Sequence, residues 1–409
     1  MKCRHCSSEL SLSFVDLGSA PPSNAYLTSE KLITPEKLFP LKVLVCTVCW
    51  LVQTEDYPDS AELFSKDYAY FSSYSSTWLA HAESYVKDMT ARFKLDSSKF
   101  VMEVAANDGY LLQYVKKAGI PCLGIEPTHS TASAARGKGI DIIESFFGVK
   151  LAQRLVKERK QADLMVANNV LAHVPYINDF VSAFSVLLKP DGVATFEFPH
   201  LLLLVSQNQF DTIYHEHFSY LSLNTVNRIF DQNGLCVFDV EQIPTHGGSL
   251  RVFASRRDSH LYTRSRNVSE LLAQEMSAGI NTINFYRNFQ GKADKIKNEF
   301  LSFLHRICSE GKKIIGYGAA AKGNTLLNYA GVRPELISFV VDRNPSKQGK
   351  YLPGSRIPIV DESCIKEFRP DYVVIFPWNI KEEIMAQLSY IKNWGGKFVT
   401  AVPQLKEWA

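Results

Sequence analysis

Nowhere in its 409 residues does the chain hold the ~18 consecutive apolar residues of a membrane-spanning helix, and Met1-Lys2-Cys3-Arg4-His5-Cys6 has no apolar signal core. These absences predict a cytoplasmic protein with no membrane partner, in which the Asn267-Val268-Ser269 sequon is a chance match. Charge of one sign is missing too. Lysine and arginine total 45 against 42 aspartates and glutamates, a net charge of +3, so no global field draws nucleic acid. There is no tandem repeat and no low-complexity tract. Glycine is scarce where a pyrophosphate would want it: the turn after Phe100-Val101-Met102-Glu103-Val104 lacks Gly-x-Gly-x-x-Gly, which excludes a dinucleotide there.

What is present is an ordinary globular composition, 46% hydrophobic and 21% charged, and a length that allows two or three domains, each with a core. Phe100 to Leu112 reads as a buried parallel strand, a tight turn and a helix start, which places a cofactor at the strand's carboxyl end. A nucleoside cofactor without phosphates suits so glycine-poor a turn, and S-adenosylmethionine is the obvious one. Glu126, ending the second strand about 20 residues on, is placed to accept both ribose hydroxyls. The expected cofactor residues are Glu103, Ala105, Asn107, Asp108 and Gly109 in the turn, with Leu111 and Leu112 after it. Glu126 and Pro127 follow, then Phe146 and Phe147 as an adenine sandwich or plain core, and Asn168, Asn169 and Val170 after the fourth strand.

From residue 100 to about 260, apolar runs alternate with helical spacing in a βαβ rhythm, which means a doubly wound parallel sheet. Residues 268 to 310 form a helical connector. A second α/β unit starts at Lys312, with strands at Lys313 to Tyr317, Ile337 to Val341, Tyr372 to Phe376 and Lys397 to Val402. Its turn, Gly316-Tyr317-Gly318-Ala319-Ala320-Ala321-Lys322-Gly323-Asn324, either binds a nucleotide's phosphates at a helix start or closes a tight packing; we favour binding.

Eight cysteines divide in two. Cys122, Cys236, Cys308 and Cys364 are isolated core residues. Cys3-x-x-Cys6 and Cys46-x-x-Cys49 are two knuckles able to hold one zinc, in preference to disulfides. Four thiolates leave no position for water, so the zinc is structural. Asp67 to Trp78, rich in aromatics and hydroxyls, is either a surface loop or a cradle for a sugar or phosphate. Tyr214-His215-Glu216-His217 carries four ionisable side chains in a row without metal-site spacing, which fits general acid/base chemistry. His173 faces the switch-point crevice. In Thr245-His246-Gly247-Gly248-Ser249-Leu250-Arg251 the glycines let backbone approach a ligand and Arg251 anchors an anion, or the segment shapes a hairpin.

Taken in order, these motifs, with Pro377-Trp378-Asn379, resemble the S-adenosylmethionine-dependent sugar C-methyltransferases, and the resemblance covers essentially the whole chain. It implies a zinc-binding lobe over 1–75, a Rossmann-like methyltransferase domain over 76–265, and a connector with a C-terminal Rossmann-like α/β domain over 266–409 that helps hold a nucleotide-linked 4-keto-deoxysugar. It implies active-site positions at Tyr214, Glu216, His217 and His173, and at a tyrosine of the Tyr68-x-Tyr70 pair. The required base falls to His217, with Glu216 orienting it or acting instead. Substrate contacts are expected at Ser72 and Ser73, at His246 to Ser249 and Arg251, and at Gly318, Lys322, Asn324, Asp342 and Asn344. Ala105-Ala106 departs from the glycine or cysteine commoner in the family. The chain is expected to be a monomer or a homodimer.

Overall fold

Strands covered on both faces favour apolar residues, and Val101–Val104 and Tyr372–Ile375 are buried throughout, with Glu103 the one charged residue among them. A computed structural model describes residues 1–55 and 71–408. Tyr68 and Tyr70 lie outside the described residues. Three sheets organise the chain.

The first is antiparallel and four-stranded: β1 (Leu12–Ala20), β2 (Phe39–Val45), β3 (Val52–Thr54) and, from far along the chain, β9 (Ser219–Tyr220), in that order. The second holds β4 (Val101–Val104), β5 (Cys122–Ile125), β6 (Ile142–Ile143), β7 (Ala162–Asn168), β8 (Leu188–Pro199), β10 (Leu235–Ile243) and β11 (Ser249–Arg256). Their order is β10-β11-β8-β7-β4-β5-β6, and only β11 runs against its neighbours. The order reverses between β4 and β7, so the crevice for a ligand opens past the carboxyl ends of those two strands. The third sheet has β12 (Ile314–Tyr317), β13 (Val340–Val341), β14 (Ile359–Val360), β15 (Tyr372–Ile375), β16 (Lys397–Thr400) and β17 (Lys406–Trp408), ordered β14-β13-β12-β15-β16-β17 and parallel except for β17. The sequence reading lacked β14, two residues long, and β17, which alternates with charge.

Helix Ser76–Phe93 precedes β4; Ser75 caps it by accepting the Trp78 amide at 3.2 Å, and Lys94 ends it at φ +51°. Helices Arg266–Ser277 and Phe289–Ser309 form the connector. Buried Glu275 on the first accepts the amides of Leu223 and Asn224 at 2.7 and 2.8 Å, capping helix Leu223–Gln232 from outside.

One apolar core runs through three sequence regions. Phe14 of β1 stacks on Phe289 of the connector at 4.3 Å, and Leu201, Leu204, Phe210 and Ile213 pack with Leu326, Leu327 and Phe376. Separate clusters cover the faces of the second sheet and the far face of the third. No helix among the described residues is long and apolar enough to cross a membrane.

Candidate active site

At the carboxyl end of β4 the backbone turns through three left-handed residues, Ala105 at φ +59°, Asn107 at +49° and Gly109 at +75°. Gly109 is needed twice over: besides its φ, a Cβ there would lie 2.4 Å from Ile140 Cδ1. Gly124 on β5 makes room for the alanine that stands beside it, since its own Cβ would come within 2.8 Å of Ala106 Cβ.

Glu126 is buried and holds this turn. Its Oε2 accepts the Asn107 amide at 2.9 Å, while Oε1 accepts the Thr128 amide and the Thr131 hydroxyl at 3.0 and 3.1 Å. A carboxylate has about four acceptor directions, so these three donors leave capacity for a ribose hydroxyl. Burial pushes both the Glu126 and Glu103 carboxyls upward. Among the described residues no hydrogen bond reaches Oδ1 of buried Asp108 or either amide atom of buried Asn168, while buried Glu103 has the Tyr110 hydroxyl beside it. Polar atoms that are buried and unmatched at the ends of β4 and β7 fit a polar ligand that would supply their partners, as S-adenosylmethionine does through its ribose and amino-acid groups.

The other residues assigned to the cofactor divide. Leu111 and Leu112 are core; Val170 is buried, and Asn169 donates its amide to Glu197 O at 2.7 Å. Phe147 packs edge-on against Phe180 and Phe184, whereas Phe146 is 54% exposed; Pro127 is half-buried. Ser72 and Ser73 belong to this turn as well: their amides donate to Asn107 Oδ1 at 2.9 Å and Asp108 Oδ2 at 3.3 Å.

The segment from Phe210 to Tyr220 meets the residues that follow β7, with the Phe218 amide donating to Ala172 O at 2.8 Å. His217 is 7% exposed, and its Nδ1 donates to the Thr212 carbonyl at 2.9 Å, which leaves the lone pair on Nε2. His173 does the same through the Glu216 carbonyl at 2.8 Å. The two imidazoles stand 4.6 Å apart between centroids, and the Tyr214 ring lies 4.0 Å from His217. Burial drives the His217 pKa well below its usual value, with His173 adding to the effect, and burial takes His173 to about 4. The depressed values keep both imidazoles neutral near pH 7, the form able to take a proton, although burial also weakens their basicity. The Glu216 side chain turns to the amino-terminal lobe, where Asn24 Nδ2 donates to Oε1 at 3.0 Å, and burial raises its pKa. It is therefore the Thr212 carbonyl that orients His217.

His246, at φ +56° and with a pKa lowered by burial to about 4, comes to the same crevice under Trp78, whose ring lies 5.2 Å away. Gly247 and Gly248 allow Trp378 and Leu203 to close in; Cβ atoms there would fall 2.4 and 2.2 Å from those side chains. Ser249 Oγ donates to Thr245 O at 2.9 Å. Arg251 has no open anion site. It lies directly opposite Glu197 on β8 and Glu241 on β10, and its Nε and Nη1 bond those carboxylates at 2.7 and 2.9 Å.

Helix Ala321–Ala330 of the third sheet docks on the same segment through Thr325 Oγ1, which donates to Ile213 O at 2.7 Å. Lys322 Nζ donates to Asn379 Oδ1 at 2.7 Å and lies 4.4 Å over the Trp378 ring; Trp378 Nε1 donates to Asp211 Oδ2 at 2.8 Å. Burial lowers Lys322 to about 8 and raises Asp211 to about 6. Buried Asn324 donates to Ser23 O at 2.6 Å, and Gly318 at φ +89° lies against Pro377. Asp342 is engaged by its own turn, accepting the amides of Ala319 and Asn344 at 2.8 Å each, while Asn344 Oδ1 caps Ser346. Asn24, Trp78, Asp211 and Trp378 escaped assignment as site residues; each meets its partner from more than 100 residues away.

The four knuckle sulfurs lie within 4.8 Å of one another, with Cys3 to Cys49 and Cys6 to Cys46 at 3.5 Å. Tetrahedral zinc with Zn–S near 2.3 Å sets its sulfurs about 3.8 Å apart, whereas a disulfide needs about 2.05 Å. The set fits zinc.

Fold and site together define a methyltransferase that takes a nucleoside cofactor beyond β4. Three family models match in succession: "Putative zinc binding domain" over residues 3–64, "Methyltransferase domain" over 78–240, and "C-methyltransferase C-terminal domain" over 244–403. The chain is 34% identical over 404 residues to the C-methyltransferase NovU of Streptomyces niveus, covering 98% of this chain and 96% of NovU. It belongs to that C-methyltransferase family and is an S-adenosylmethionine-dependent C-methyltransferase with a zinc-binding domain. Similar solved structures include the magnesium protoporphyrin IX methyltransferase ChlM of Synechocystis PCC 6803 with bound SAM, at 16% identity and TM-score 0.34 over 44% of this chain and 79% of that one. Another is the PH0226 protein of Pyrococcus horikoshii OT3, at 14% identity and TM-score 0.39 over 46% of this chain and 95% of that one.

Proposed function

We propose that the enzyme methylates C3 of a nucleotide-linked 4-keto-6-deoxysugar, in the cytoplasm, on the way to a branched deoxysugar. S-adenosylmethionine supplies an electrophilic methyl on a sulfonium. Everything else falls to the chain's residues. A carbon beside a ketone becomes a nucleophile only when its proton is removed, so a base must face it. His217 takes that part, because its Nδ1 is committed to Thr212 O at 2.9 Å and Nε2 is left to receive the proton. This is the observation on which the reading rests. Glu216 is the alternative base. Tyr214, and Tyr68 or Tyr70, are the candidates to donate to the developing enolate oxygen; His173, neutral and with its Nδ1 proton held by Glu216 O, would have to be protonated first to join them.

The domain division at 1–75, 76–265 and 266–409 goes with this reading, the third part holding the nucleotide-sugar around Gly318, Lys322 and Asn324. His246 to Ser249 would line the sugar. Holding the carbon against the methyl in line with its bond to sulfur is the protein's main contribution to rate.

Incubation with methyl-labelled S-adenosylmethionine and a panel of thymidine- and guanosine-diphosphate 4-keto-6-deoxysugars tests the proposal. The expected product carries its label on C3 by NMR. A label on C5 moves the acceptor carbon; a label on oxygen or nitrogen, or no labelled sugar at all, overturns the reading.

A further inference from the structure

Lys322 reaches the base's segment from the third sheet. Thr325, one helical turn along from Lys322, bonds Ile213 O, so this face of the helix is seated on the stretch that runs to His217. The ammonium rests over Trp378, and the indole is fixed by Asp211, the residue before the Thr212 carbonyl that orients His217. Gly247 lies close against the benzo edge of the indole, a Cβ there falling 2.4 Å from Trp378 Cη2, which brings His246 alongside. Asn379 takes one of the three N–H bonds of Lys322, and no carboxylate among the described residues lies within ion-pair distance of it. A half-buried cation among neutral imidazoles, with donors to spare, is costly unless something anionic arrives.

We propose that Lys322 is a catalytic residue, the cationic partner on which the acceptor's carbonyl oxygen settles as it becomes an enolate. The assignment rests on the sugar-methylating reading above. Removal of the α-proton by His217 Nε2 sends the C–H electron pair into a new C=C bond and the carbonyl π pair onto oxygen, beside the ammonium, which keeps its proton. When that pair returns to rebuild the carbonyl, the carbon takes the methyl and the S–C electrons go to sulfur; His217 then releases the proton to solvent. A diphosphate is the other anion a lysine takes, but buried Asp211, whose Oδ1 has no partner among the described residues, disfavours a multiply charged group nearby and tolerates a single developing charge.

Proton exchange isolates this step. With S-adenosylhomocysteine in place of the donor and a nucleotide 4-keto-6-deoxysugar in D2O, the unsubstituted enzyme should wash deuterium into the α-position, read by proton NMR. Lys322→Met should slow exchange at saturating acceptor by about 100-fold, well beyond any rise in acceptor Kd, with S-adenosylmethionine affinity unchanged and Lys322→Arg recovering part of the rate. The groups facing Lys322 are Asp211, His217, His246, Trp378 and Asn379. Loss of its proton near pH 8 should close the basic side of the exchange profile, and Lys322→Arg should move that limb upward. Exchange at the unsubstituted rate in Lys322→Met, or a defect confined to Kd, overturns the assignment. No exchange by the unsubstituted enzyme with any acceptor sinks the parent reading instead. In that event, histidine NMR of the free protein still decides whether the cation faces the base: Lys322→Met should raise the His217 pKa, and an unmoved titration counts against the placement.

Discussion

A single carbonyl decides which nitrogen of His217 can act. Because Thr212 O holds the Nδ1 proton, replacing the imidazole with an amide keeps an N–H donor for that carbonyl but removes the titratable nitrogen that could take a proton. His217→Asn should lose turnover to background with S-adenosylmethionine affinity, measured by calorimetry, within a few fold. Weak cofactor binding in that variant would deny His217 the role of base. The sign of the pH effect follows from the same burial: a depressed imidazole pKa keeps the base neutral as pH falls through 6.5, so the acid limb of kcat should lie below 6.5. At this scale the sequence was legible where spacing alone carries chemistry, as in the paired Cys-x-x-Cys knuckles or the Glu103 to Gly109 turn. Partners distant in sequence were not legible. Arg251 looked available until strand register put Glu197 and Glu241 on either side of it, and Phe146 and Phe147 were indistinguishable until packing drew only Phe147 against the core.

Among the elements, β3 carries most of the load between the knuckles and the base. Gln53 Nε2 donates to Cys3 Sγ at 3.3 Å and Gln53 Oε1 accepts the Arg4 amide at 2.9 Å; one residue on, Thr54 Oγ1 donates to His217 O at 3.2 Å. Pairing of Val52 with Tyr220 and Gln53 with Ser219 completes the link. Cys46→Ser should therefore lose zinc and folding or solubility together, checked by metal analysis and circular dichroism; a folded, zinc-free and active variant would show that the knuckles are dispensable. Gly323 offers a test in the third sheet. A Cβ there would sit 2.8 Å from Phe376 Cγ, so Gly323→Ala should cost about 1–3 kcal/mol in denaturant unfolding. The βαβ rhythm announced most of these elements, because buried strands and amphipathic helices differ in period. It could not announce β9, whose two residues carry no pattern of their own.

For the molecule as a whole, the shared core matters more than the sheet count. Phe14 and Leu17 from the first sheet, Leu204 and Ile213 from the middle of the chain, and Phe289, Leu326 and Phe376 from the last part are all buried in one cluster. A chain ending at Ser265 should consequently expose that surface, bind a hydrophobic dye and unfold without a sharp transition in calorimetry. A monodisperse fragment with cooperative melting would mean that the first two sheets suffice on their own.

The ribbon formed by β3 and β9 also constrains how specificity can be transplanted between relatives. Exchanging only the amino-terminal lobe would join a foreign Gln53 and Thr54 to a resident Ser219 and His217, and the mismatch would fall on the base itself. Hybrids that carry residues 210–222 along with their native lobe keep both halves of that seam, and should be the ones that retain turnover.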